Sequence, residues 1–315
     1  MTTDRTSSPG ARSGGTPART TRTRKLKQLR TWPFAATAVL ALTLAACSSS
    51  EDGEGDAPAA SQLTVSHIHG LGIDPADSRL YVATHEGLFT PGKSGTAERV
   101  GDSEDDFMGF TVAGANTFLA SGHPAPGADG PGNRGLIEST DSGKTWKTRS
   151  LAGKADFHAL DYADGTIYGY DSTGGLLRVS KDGTAWEDRA RIQALDIAVN
   201  PDAPNTILAT TAEGVAKSTD AGETFAPGKG PVMAFVSWAK DDALYGIDTS
   251  GGLNRGTDGG TTWKKTTMVP GGQPQALTAV SAQGVLAATQ DGVYEPQDSG
   301  KTFTRRLAVS SGNSH

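Results

Sequence analysis

Six histidines are spread over the 315 residues, and two of them, His67 and His69, stand one residue apart in SHIHGL (66–71). Three more sit in short runs of similar build: His85 in THEGLF, His123 in SGHP and His158 in DFHAL. The sixth is the terminal His315. Met108 in FMGF and Met233 in VMAF occupy the place that His69 holds in IHGL and His158 in FHAL. Imidazole suits copper, zinc and other transition metals, whereas thioether adds a preference for softer Cu(I). The chemistry on offer is therefore a metal centre, copper first and zinc second, held by His69, Met108, His158 and Met233 with His67, His85 and His123 close by. The plainer reading of the same residues is solvated strand starts and packing methionines. A choice between the two requires the elements that carry them.

Those elements repeat. The starts IHGL, FMGF, FHAL, IQAL, VMAF and PQAL are separated by 39, 50, 35, 40 and 42 residues at their second positions, His69, Met108, His158, Gln193, Met233 and Gln275. Each is followed by a short apolar run such as LYVATH (80–85) or ILATTA (207–212), then by a GL or GV step. Short β-prone runs bounded by Gly, Asp and Asn, recurring every forty or so residues, describe blades of about four strands. The expectation is an all-β, six-bladed β-propeller over residues 62–310, with QLTV (62–65) as an outer strand on the last blade and 311–315 as a tail. In such a meander the start of the first strand and the turn between the second and third share one face. His67, His69, His85, His123 and His158 then fall at one mouth of the channel. Asp106 and Asp156 directly precede two of the starts, and the insertion PAPGADGPGN (124–133) is placed over the same face as a lid.

A second repeat lies in the opposite turns: STDSGKTW (139–146), SKDGTAW (180–186), STDAGETF (218–225), GTDGGTTW (256–263) and PQDSGKTF (296–303). An aspartate can accept hydrogen bonds from turn amides, and glycine supplies a left-handed backbone. These hairpins resemble the Asp-boxes (BNR repeats) of sialidase-type propellers. The resemblance gives Asp141, Asp182, Asp220, Asp258 and Asp298 a structural role. It extends to sortilin-like and photosystem-assembly-factor propellers, which implies a protein or peptide partner as the alternative function. The LAAC run (44–47), which resembles a bacterial lipobox, together with HIHGL, THEGLF, DFMGF, SGHP, DFHAL and YGYDS resembles a group of bacterial lipoproteins labelled glycosylhydrolase-like. An exo-sialidase-like glycoside hydrolase is the enzyme alternative. The chain lacks the F/Y-R-I-P motif of sialidases, and only Arg134, Arg189 and Arg191 are placed near the candidate face for a carboxylate clamp. Asp156 and Asp171 are the carboxylates considered for an acid–base couple, which needs a set separation.

Residues 1–46 hold eight basic residues against one acidic, then the uncharged run WPFAATAVLALTLAA (32–46). Basic flank, short apolar core and small residues form a secretion signal. LAAC resembles the bacterial lipobox, which makes Cys47, the only cysteine, the lipidated first mature residue. Residues 47–61 are polar and acidic, a tether in composition. Beyond residue 46 the chain carries 21 basic and 34 acidic residues, which excludes a phosphate-dominated nucleic-acid interface. The expectation is a monomer anchored through Cys47 to the outer face of the bacterial cytoplasmic membrane.

Overall fold

The computed structural model describes residues 61–93, 96–297 and 302–311. The signal 1–46, Cys47, the tether up to residue 60, Asp298 and His315 lie outside the described residues.

The chain forms six antiparallel meanders around a central channel, a six-bladed β-propeller. The strands next to the channel are Ile68–Ile73, Asp106–Gly114, Phe157–Ala163, Ile197–Val199, Met233–Ala239 and Pro274–Ala279, and each packs on its counterparts in the two adjacent blades. Burial falls from inside to outside within a blade. The second strand of blade 1, Leu80–Thr84, is buried throughout, whereas the outer strand of blade 2, Lys147–Ser150, is mostly exposed. A strand covered on both faces reads as a continuous apolar run, which is why LYVAT carries no alternation.

Six apolar clusters hold the ring, one between each pair of neighbouring blades. Leu88 of blade 1 meets Phe107 and Phe118 of blade 2, and Leu136 of blade 2 meets Phe157 of blade 3. Full burial of such a side chain contributes about 1.5–3 kcal/mol relative to exposure. The ring is closed by the strand Ser61–Val65, which pairs in parallel with Thr302–Ser311 and makes blade 6 five-stranded, Leu63 opposite Val309. The two ends of the propeller are thereby hydrogen-bonded to each other, with QLTV in the place read from the sequence.

The turns on the far face are built as the sequence indicates. Asp141 accepts from the Thr145 amide at 2.9 Å and its hydroxyl at 2.6 Å, and Asp220 does the same with Thr224 at 3.0 and 2.6 Å. Hydrogen bonds from Thr224 and Ser218 hold the Asp220 carboxyl down at about 2. Gly143 and Gly222 take φ of 84° and 86°, and a Cβ on either would come within 2.3 Å of a leucine of the preceding blade, Leu88 or Leu177. The turn aromatics pack inward, Trp146 on Phe107 at 5.0 Å and Trp186 on Phe157 at 4.9 Å between ring centroids.

Candidate metal centre

Five inner strands carry a β-bulge near the start, and the bulged residue is His69, Met108, His158, Ala234 or Gln275. A bulge leaves one residue outside the ladder and re-aims its side chain. This device turns a strand residue toward the mouth while the residue before it stays in the core: Ile68, Phe107 and Phe157 are each fully buried. Two positions flank the bulge and complete a trio in each blade. One lies two residues earlier on the chain; the other faces it from the hairpin, as His123 faces Asp106 in the ladder. Blade 1 fills the three positions with His67, His69 and His85. Blade 2 has Asp106, Met108 and His123, blade 3 has Asp156, His158 and Ser172, and blade 6 has Gln273, Gln275 and Gln290.

Met233 departs from the sequence alignment. It pairs with Asp248, in the row of Ile68, Phe107 and Phe157, and Ala234 takes the bulge. The Met233 side chain is 2% exposed, packed among Leu208, Trp238 and Leu244 with its sulfur 3.8 Å from Asn254 Nδ2. It is a core residue, one position out of register with the ring, and does not reach the mouth. Gln193 is exposed in the approach to the three-residue inner strand of blade 4. Met108 stays in the bulge row of blade 2, half-buried.

The remaining histidines form two groups. In blade 1 the rings of His67, His69 and His85 lie 4.6, 5.9 and 4.3 Å apart by centroid, and one nitrogen from each falls within 4.8 Å of the others. His69 Nε2 and His85 Nε2 are 3.2 Å apart. Two ligands of a tetrahedral ion bound at 2.0–2.1 Å stand about 3.3 Å apart. Behind His85, Asp106 Oδ1 pairs with Nδ1 at 2.9 Å but makes no hydrogen bond to protein. A carboxylate at the far nitrogen is the usual support of a metal-bound imidazole. Burial lowers the His67 pKa, helped by the charge of His85. Burial lowers that of His69 to about 3, followed by the charges of His67, His85, His158 and His123. Both are therefore neutral at pH 7, the ligating form.

The second group spans two blades. His158 Nε2 is 2.8 Å from Asp156 Oδ2, and His123 Nε2 of blade 2 is 3.8 Å from the same oxygen. His123 Nδ1 is 2.9 Å from the Gly132 carbonyl, so the insertion loop is tied directly to this histidine. That loop is anchored further by Asp105, which accepts from the Ala125 amide at 3.0 Å and pairs with Arg134. Burial on its own raises the Asp156 pKa; the hydrogen bond and charge of His158, the charge of His123 and the Ser172 hydroxyl outweigh it and leave the carboxyl below its ordinary value.

Among the described residues, six buried side-chain nitrogens and oxygens make no hydrogen bond to protein, and four of them are His67 Nδ1, Glu86 Oε2, Asp106 Oδ1 and Asp156 Oδ1. Buried polar atoms are nearly always paired, so a concentration of orphans marks a place built for something else. Glu86 was not among the residues singled out from sequence. Its other oxygen accepts from the Ser66 amide at 3.1 Å and hydroxyl at 2.6 Å, and no repeat position signals it.

The groups weighed for other chemistry are occupied. Asp171 accepts from the Asp156 and Thr173 amides and Arg178, each at 3.3 Å. Arg189 reaches the Ala221 carbonyl in the Asp220 turn, on the face opposite the mouth, which corrects its expected position. Arg191 donates to the Gly174 carbonyl at 2.6 Å. Below the mouth the channel encloses about 920 Å³. Its wall carboxylates are inter-blade stitches: Asp161 accepts from the Val199 amide at 2.7 Å and Asp196 from the Val236 amide at 2.9 Å. Burial raises their pKa to about 6 and about 7, with the charge of Asp161 adding to the rise at Asp196.

No family pattern matches the sequence, and no characterised protein resembles it significantly in sequence. Similar solved structures exist. A streptogramin B lyase superposes with a TM-score of 0.54 at 12% identity, over 80% of this chain and 85% of that one. Virginiamycin B lyase from Staphylococcus aureus, in a catalytically inactive form with quinupristin, gives 0.51 at 14% identity over 76% and 83%. The GH74 enzyme of Niastella koreensis gives 0.52 at 13% identity over 79% of this chain and 41% of its own. The chain spans less than half the length of that enzyme and of an ancestral GH74 enzyme, for which the share is 38%. At these identities the likeness is one of fold: the chain shares the β-propeller architecture with proteins of differing chemistry.

Proposed function

We propose that this propeller binds a transition-metal dication through His67, His69 and His85 at the mouth of its channel. The observation that carries the reading is the three-imidazole group itself, with the 3.2 Å pair of Nε2 atoms beside the unpartnered His67 Nδ1. Without an ion, neutral His69 and His85 share one N–H···N hydrogen bond at this distance; a cation that displaces that proton would take both Nε2 lone pairs, and two ligands of a tetrahedral ion stand at nearly the same separation. Three protein nitrogens leave a fourth position open to water or to a further ligand. With Met233 in the core, the donors are imidazole and carboxylate with at most one thioether, Met108. That set suits Cu(II) and Zn(II), and the Irving–Williams order makes copper the tighter of the two.

The signal and lipobox residues support a role outside the cytoplasm on a lipid tether at Cys47, where such a site would meet metal ions directly. The Asp-box resemblance is supported by the turn hydrogen bonds of Asp141 and Asp220 and concerns the frame, not the site. A protein or peptide partner is a second reading, favoured by Leu195 and Val232, which are 58% and 43% exposed on the blade 4–5 side of the same face.

The test is titration of the full chain, purified without a histidine tag, with Cu(II) and Zn(II). Loss of one stoichiometric equivalent in the His69→Ala, His85→Ala double variant supports the assignment. Binding no stronger than that of a generic acidic protein removes it.

A further inference from the structure

We infer that His123, Asp156 and His158 form a second metal site, separate from the blade 1 trio and different in donor set. One potential ligand atom from each lies within 4.8 Å of the others. The group joins two blades: His123 comes from the hairpin of blade 2, and Asp156 and His158 from the inner strand of blade 3. The frame repeats itself here. The hairpin residue of one blade faces the first trio position of the next, as His85 faces Asp106 at 2.9 Å and His123 faces Asp156 at 3.8 Å. In the first instance the carboxylate supports a histidine whose other nitrogen meets His69. In the second, the two histidines approach the carboxylate from different blades, so that all three surround one point.

Asp156 and His123 are prepared for that role, whereas His158 Nε2 donates to Asp156 Oδ2 at 2.8 Å and must give up that proton to ligate through the same nitrogen. Asp156 is 7% exposed, and its Oδ1 is buried with no hydrogen-bond partner although Oδ2 meets His158 and Ser172. Burial of a carboxylate oxygen with nothing to accept from is costly, and a bound cation removes that cost. The contact of His123 Nδ1 with the Gly132 carbonyl at 2.9 Å fixes the proton on Nδ1. Nε2, the nitrogen that faces Asp156, therefore presents its lone pair. This is how metal-bound histidines are oriented elsewhere. The cradle is also rigid, because Asp105 and Arg134 clamp the two ends of the loop that supplies Gly132.

Two nitrogens and one carboxylate oxygen make a harder set than three imidazoles. The blade 1 trio has no charged ligand, whereas Asp156 offsets one unit of a dication's charge. Zn(II) and Co(II) fit the second set, which leaves room for a water or an oxygen ligand on the metal. The mouth would then hold two unlike ions rather than one ion at the centre of a ring.

The experiment is metal analysis of the full chain, without a histidine tag, after saturation with Co(II) or Zn(II) and removal of free ion. The wild type is compared with a His69→Ala, His85→Ala pair and a His123→Gln, His158→Gln pair. Thermal melts of the metal-free proteins establish that each is folded, and His123→Gln alone, at a half-exposed side chain, serves if the second pair is not. Two equivalents in the wild type and one in each pair support the inference. One equivalent lost only in the second pair also supports it, and instead removes the blade 1 reading. One equivalent lost in both pairs means a single shared ion and overturns the inference, as does one lost only in the first pair. No bound metal overturns both proposals. The Co(II) visible spectra of the two pairs are expected to differ, reporting three-nitrogen and two-nitrogen–oxygen sets; identical spectra contradict the proposed assignment of donors.

Discussion

His69 and His85 bring their Nε2 atoms to 3.2 Å, although sixteen residues and a hairpin separate them along the chain. The contact exists because a bulge lifts His69 out of the ladder while His85 follows the last residue of the paired strand. Removal of either ring breaks the pair. For His85→Ala the expected result is loss of more than about 100-fold in copper affinity, beyond the 10–100-fold typical of a supporting residue. Calorimetric titration beside an unchanged thermal melt of the metal-free protein checks it.

Asp106 tests the supporting role. Asp106→Asn keeps the shape behind His85 but removes the charge that favours a bound dication. A 10–100-fold weaker affinity with unchanged stoichiometry is expected. An affinity equal to wild type would show that Asp106 does not act on the site through His85.

Met233 separates core from site. Met233→Ala should destabilise the fold by about 2–5 kcal/mol through the cavity it leaves and leave metal stoichiometry untouched. Chemical denaturation reads the first effect and metal analysis the second. The same substitution exposes why the sequence misplaced it. VMAF and FMGF align naturally on their methionines, and only the ladder, with Met233 opposite Asp248, shows that blade 5 is shifted by one. A shift of one residue reverses the face a side chain occupies.

Asp196 governs a pH dependence. Its folded pKa, about 7, lies above the ordinary 3.8 because of burial. Between those values the folded state holds the proton more tightly than the unfolded state. Stability from this group is therefore present in acid and lost as pH rises from about 4 through about 7. Asp196→Asn retains an acceptor for the Val236 amide without the charge. The difference in melting temperature, variant minus wild type, should grow more positive as pH rises from 4 to 8; a constant difference would contradict the linkage.

The aspartate turns bear on the frame alone. Asp220→Ala removes the acceptor of the Thr224 amide and hydroxyl and should cost about 1 kcal/mol, comparable to loss of a helix cap. Metal binding should not change, because that turn lies on the face opposite the histidines.

Much of this was legible in the chain itself. The spacing of His69, Met108 and His158 reveals the blade repeat, and meander topology alone puts His67, His85 and His123 on their face. What the repeat conceals is contact across blades. Nothing in the local sequence of His123 says that it meets Asp156 of the next blade rather than joining His85, because a hairpin's lean is set by how neighbouring sheets pack. The orphaned Glu86 oxygen is hidden for a similar reason: Glu86 is held through its other oxygen by Ser66, twenty residues earlier on the chain. The stitching carboxylates Asp161 and Asp196 lie in strands whose sequence gives no sign that they bond to the following blade.

The central claim is that blade 1 presents three imidazoles to one ion. It is tested most directly by anomalous diffraction from crystals of the protein loaded with one equivalent of Cu(II). The account predicts a copper peak about 2.0–2.1 Å from nitrogens of His67, His69 and His85, the range of metal–imidazole bonds. A peak elsewhere, or the three rings unmoved with no metal among them, would contradict it.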